Sequence, residues 1–259
     1  MLAQSRQLFD LENRAFPKRL GAVQRALYLL FNEGYHGASP ESAIRAELCR
    51  EAIRLTNSLL DNPLTATPAS YALAALMHLN AARLPGRVDA SGALASLVEQ
   101  DRSRWDRRLI DDGQRLLERS ASGEALSEYH VEAAIAWAHA DAPSAQETDW
   151  AKIVAFYDLL MKVRNSPVVA LNRAIAIAQL DGPQRGLEEI GAIADRERLG
   201  DYPFYFAALG ELEFRIGNED RAREHFLDAM ARARNPMERQ FLERKAAACV
   251  TKHRIPSPA

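Results

Sequence analysis

Cysteine is scarce: Cys49 and Cys249 are the only two in 259 residues. Each lies inside a helical pattern, which excludes a disulfide framework and points to a reducing compartment with two buried thiols. Long uninterrupted apolar runs are lacking too, and the opening MLAQSRQLFDLENR is too polar and charged for a secretory segment. No membrane span or export signal is therefore expected, and the reading is a cytoplasmic protein. Charge of one sign is also missing, since 33 Lys and Arg stand against 35 Asp and Glu for a net charge of -2. That balance lacks the basic excess that marks a nucleic-acid footprint, so no direct DNA binding is expected.

The motifs of common chemistries are absent as well. No two of the six histidines stand at the one-turn spacing that seats two imidazoles on one metal. His130 and His139 flank an apolar stretch near Asp141 and Asp149, and are read as satisfying helix-end carbonyls or the helix dipole. No glycine-rich phosphate loop follows a strand and no serine sits in a Gly-x-Ser-x-Gly elbow. No catalytic, cofactor-binding or metal-binding residue is assigned, and the chain is not read as an enzyme.

What is present is helical periodicity. Nearly every segment repeats its apolar residues at three- and four-residue spacing, and strand-like alternation is almost absent. Prolines and glycines cut the chain into about a dozen segments of helix length. Ser39, Thr67 and Ser166, each followed by proline, supply N-cap chemistry. Short connections force neighbouring helices to pack antiparallel, so the expected fold is all-α: antiparallel helical hairpins stacked into a right-handed array like that of tetratricopeptide repeats. One repeat is clear, at 203–236, where Phe206, Leu209, Gly210, Gly217, Ala222, Phe226 and Ala229 take the repeat's spacings and Glu213 replaces an aromatic. Gly210 and Ala222 mark the close approach of its two helices. Residues 1–16 read as a linker or the tail of an upstream domain, 17–250 as a single helical domain, and 251–259 as a flexible tail.

Two stretches carry unusual polarity. In YLLFNEGYHGAS (28–39) an apolar helix breaks into Asn32, Glu33, Gly34 and Tyr35. Gly34 is expected in the left-handed cap conformation, with Tyr35 covering the helix end. In LVEQDRSRWDRRLIDDG (97–113) charges alternate around Trp105, so that Asp101 faces Arg104 and Trp105, and Arg102 faces Asp106, as an ionic ladder on a helix. Asn32, Glu33, Tyr35, Asp101, Arg102, Arg104, Trp105 and Asp106 are the candidate contact or pocket residues. Three roles stay open for them: an interaction surface or hinge, a polar pocket built from Glu33, Tyr35, Asp101, Arg104 and Trp105 in a small-molecule sensor or enzyme, or staples of the fold.

Read together, ALYLLFNEGYHGAS, LCREAIRLTNSLL, ALAALMHLNAAR, LVEQDRSRWDRRLIDDGQRLL, YHVEAAIAWAHADA, TDWAKIVAFYDLL and SPVVALNRAIAIAQLDGPQRGLEEI resemble, in order and spacing, the C-terminal helical extension of bacterial extracytoplasmic-function (ECF) sigma factors. The likeness runs from about Pro17 to about Leu242, and the promoter-reading sigma domains lie outside it. The resemblance implies a regulatory role exerted by contact with the sigma core and, through it, RNA polymerase. It also implies a small YCII-like protein as a possible companion.

Overall fold

The computed structural model describes residues 16–36, 44–89, 93–123 and 125–251. The chain is all-helical, and among the described residues the only β pairing is one isolated bridge between Val88 and Leu94. Among the described residues eleven α-helices follow one another: α1 (Phe16–Tyr35), α2 (Ala46–Leu60), α3 (Pro68–Ala81), α4 (Arg107–Ser120), α5 (Glu128–Asp141), α6 (Trp150–Val163), α7 (Pro167–Leu180), α8 (Pro183–Gly191), α9 (Pro203–Ile216), α10 (Glu219–Ala231) and α11 (Pro236–Thr251).

The helix starts follow from their caps. Thr67 accepts a hydrogen bond from the Ser70 amide ahead of Pro68, Asp106 accepts from the Arg108 and Leu109 amides, and Asp149 accepts from the Lys152 amide. Ser166 departs from the expected pattern: it precedes Pro167 but its hydroxyl makes no cap bond, and the proline in the first turn sets the start alone. The expected cap at Ser39 lies outside the described residues.

Packing divides the array into two styles. α3 is apolar all round, with Ala72 through Leu79 buried, and so it must be covered on every side. α1, α2, α4 and α5 supply that cover. Leu73, Met77 and Leu79 are fully buried there, each contributing about 1.5–3 kcal/mol relative to exposure. From α6 onward the helices stack as successive hairpins, with smaller cores between neighbours. The expected approach at Gly210 is present: a Cβ there would lie 2.8 Å from the Phe226 ring and 3.1 Å from the Ala222 carbonyl. Gly217, at φ +91, makes the turn of the same hairpin. Both cysteines are free and buried.

The end of the array returns to its beginning. Arg244 on α11 donates to the Leu94 carbonyl at 2.8 Å and pairs with Asp89 at 3.3 Å. Lys245, one residue on, reaches Glu99 at 2.9 Å. These contacts tie the last helix to the long 82–106 connection between α3 and α4. No described helix is long and apolar enough to cross a membrane.

Candidate functional site on the concave wall

The end of α1 differs from expectation because of α2. Gly34 lies inside the helix, without the left-handed φ of a cap, and it is buried. A Cβ on Gly34 would lie 2.8 Å from the Arg45 carbonyl, the Cys49 amide and the Cys49 thiol. Glycine is there to let α2 pass, and α1 continues to Tyr35. Tyr35 is 5% exposed and stacks on Phe31 at 5.7 Å between ring centroids. Glu33 projects outward, its side chain 51% exposed, with Arg45 at 3.8 Å. Asn32 is half-buried, and its side chain opposes the rise that burial imposes on the Tyr28 hydroxyl.

The ionic ladder of the second stretch does not form, because α4 begins only at Arg107. Residues 102–104 are a short 3-10 turn, whose N-terminus is capped by exposed Asp101 through the Ser103 amide and hydroxyl. Asp106 is spent on the α4 cap. Arg104 is exposed and donates to the Val88 carbonyl at 2.8 Å. Arg102 turns inward instead, 8% exposed, and donates to the His139 and Ala142 carbonyls at 2.8 and 2.6 Å and to the Thr148 hydroxyl at 2.9 Å. A guanidinium that caps the last carbonyls of α5 gains from the negative end of that helix. Glu33, Tyr35, Asp101, Arg104 and Trp105 therefore do not converge on one pocket: three of them are exposed, and only Tyr35 and Trp105 are buried.

What joins the two stretches is the tight turn at Leu84–Gly86, flanked by Arg83 and Arg87. Arg87 lies over the Tyr35 ring at 4.1 Å, donates to the Tyr35 carbonyl and approaches the His36 imidazole at 3.4 Å. Arg83 lies 5.6 Å from the Trp105 ring, which also carries Arg102 at 5.1 Å. Gly86 is required for this arrangement, since a Cβ would sit 2.8 Å from the indole nitrogen. Both arginines stand next to a recognisable proline-glycine turn, yet nothing in their spacing identified them.

A second polar cluster joins α1, α5 and the end of α6. Tyr28 donates to Glu132 at 3.0 Å, and Arg164 binds Glu128 and Glu132 at 2.5 and 2.9 Å. Burial and the Glu132 charge push the Tyr28 hydroxyl up to about 12, and burial raises Glu132 despite Arg164. Tyr157, also raised by burial, feels both Glu132 and Arg83. In the first cluster, burial and then the charges of Arg87, Arg83 and Arg234 hold His36 well below the usual histidine range. His36 keeps an exposed edge while enclosed by protein, with Phe204 of α9 at 6.3 Å between rings. His139, packed against Trp150 at 5.4 Å, is lowered to about 3 by burial and by Arg83 and Arg102. It satisfies no carbonyl with its ring, unlike His130, which bonds Ser127 and the Ser120 carbonyl at the start of α5. Among the described residues no three His, Cys, Asp or Glu side chains gather to hold a metal ion.

A chemistry of recognition fits these clusters: guanidiniums over aromatic rings in the first, hydroxyls and a carboxylate in the second. Residues 19–121 match a family of unknown function (DUF6596). An uncharacterized protein of Rhizobium meliloti (strain 1021) is 36% identical over 225 residues, which cover 87% of this chain and 52% of that protein. The chain thus spans about half the length of the curated relative it matches. No solved structure matches it.

Proposed function

We propose that the chain is a regulatory protein-interaction domain of the ECF sigma-factor type, cytoplasmic and without catalytic activity of its own. It modulates transcription initiation by contact with a sigma core, and through it RNA polymerase, or with a partner of the small YCII-like kind. It makes no direct contact with promoter DNA. The observation that carries this reading is the length relationship: the matching Rhizobium protein has nearly half its chain outside the alignment, room for a second unit on which this one can act. The architecture supports it, because a stacked helical array offers a long curved surface for a peptide or helix.

Under this reading Asp101 and Asp106 cap helix starts, Arg102 ties the 82–106 connection to α5, and Tyr35 and Trp105 carry the arginines that flank the Leu84–Gly86 turn. The test is co-elution of this chain with the matching sigma core, each expressed separately. Association in the micromolar range or tighter is expected. Two partners that migrate independently at tens of micromolar each, with no change in one another's activity, would overturn the proposal.

A further inference from the structure

The basic cluster around Arg83 and Arg87 has more positive charge than its neighbours neutralise. The Arg83 guanidinium makes no hydrogen bond or ion pair with any described residue, and its Nε is buried without a partner. Four further buried polar atoms, on residues of the two stretches and on α5, have no partner either: Arg102 Nε, Trp105 Nε1, His139 Nδ1 and Tyr35 Oη. Among the described residues, no carboxylate figures among the charges that act on His36, Arg102 or His139. Glu132, in the second cluster, is engaged by Arg164 and Tyr28, and Arg234 is paired with Glu238 at 2.7 Å.

A desolvated charge without a counter-charge is costly to keep, and a guanidinium presents a rigid fork of donors that matches a carboxylate or a phosphate. Trp105 lies 5.6 Å from Arg83, and the Tyr35 ring and carbonyl anchor Arg87. Arg87 is thus held in place before any ligand arrives, which lowers the ordering cost of binding. Phe204 of α9, 6.3 Å from the His36 ring, and Arg234, whose charge reaches His36, border the site from the C-terminal part of the chain.

We propose that Arg83, beside Trp105, and Arg87, over Tyr35, form a binding site for a small polyanion, a metabolite bearing two or more carboxylate or phosphate groups. Arg83 supplies the forked contact, Arg87 supplies flanking charge, and the imidazole of His36 supplies a hydrogen bond at the rim. The site stands whether or not the protein partner is a sigma core, since it needs no second chain.

The test is a thermal-shift and calorimetric titration of the full chain with pyrophosphate and with citrate, against sodium chloride at matched ionic strength. A saturable rise in unfolding midpoint is expected with at least one of the two anions. Arg83→Gln should weaken that binding by tenfold or more, while Arg83→Lys, which keeps the charge without the fork, should fall between. Arg54→Gln, at an exposed ion pair with Glu51 on the outer surface, should bind as the parent does. Arg83 makes no hydrogen bond to described residues, so Arg83→Gln should retain the parent circular dichroism spectrum. Shifts no larger than those with chloride, or equal binding by the parent and a folded Arg83→Gln, would overturn the proposal. So would a response confined to a hexaglutamate peptide, which would make the site a docking point for an acidic protein segment.

Discussion

Arg87 lies over the face of Tyr35, 4.1 Å from the ring centroid, and donates to the carbonyl of that same residue. One side chain thus fixes both the ring and the backbone at the end of α1. The Tyr35 hydroxyl has no part in this and is buried without a partner. Tyr35→Phe should therefore be neutral to slightly stabilising, within about 0.5 kcal/mol, whereas Tyr35→Ala should cost about 3 kcal/mol by leaving a cavity under Arg87. Urea denaturation of the two variants checks the contrast.

Gly34 permits the close crossing of α1 and α2. Gly34→Ala places a methyl group 2.8 Å from two backbone atoms and the Cys49 sulfur, of which only the sulfur can move easily. The expected loss is about 1–3 kcal/mol, typical of overpacking. Cys49→Ala removes the sulfur but neither backbone contact, so the double variant should recover only part of that loss in the same denaturation assay.

Acid should weaken the fold before the carboxylates titrate. His139 is neutral in the folded protein down to about pH 3, while an unfolded histidine takes its proton near 6.5. Between those values the unfolded chain binds the extra proton, so this contribution to stability is complete above pH 6.5 and is lost as pH falls toward 3. His36, lowered in the same direction, adds to the effect, and Glu132, raised by burial, opposes it near its own titration. Below pH 6 each such histidine gives a slope of about 1.4 kcal/mol per pH unit. His139→Phe should flatten the curve between pH 5 and 6 by up to that amount, and an unchanged slope would show that His139 titrates normally.

The contacts of α11 with the 82–106 connection are surface ion pairs, whose contribution to stability is small, about 0–1 kcal/mol in all. Their effect is on shape. Arg244→Ala with Lys245→Ala should leave the unfolding midpoint nearly unchanged but increase the radius of gyration in small-angle scattering, and high salt, which screens the pairs, should expand the parent more than the double variant.

The helical architecture was readable because its determinants are local: apolar periodicity, proline in first turns, and acceptors such as Thr67, Asp106 and Asp149 ahead of them. The hairpin turn at Gly217 and the close approach at Gly210 followed from spacing alone. The polar residues resisted the same treatment. Asp101, Asp106 and Arg102 alternate as a helical ladder would, yet the chain there is an irregular connection, because Asp106 stops the backbone and starts a new helix. Gly34 has the surroundings of a cap, and only the passage of α2 shows why it is buried within a helix. Glu132, Tyr157 and Arg164 sit on unremarkable helix positions, and Arg83 and Arg87 flank an ordinary turn. Their convergence depends on how the array curves, a property of tertiary packing that no local window contains.

The central claim, that this domain acts on transcription through a partner, is tested most directly by promoter-specific transcription in vitro. Polymerase and the matching sigma core would be assayed with and without this domain joined to the core as one chain. The account predicts a severalfold change in transcript yield on joining the domain, in either direction. Equal yields from the core alone and the joined chain, over a range of polymerase concentrations, would contradict it.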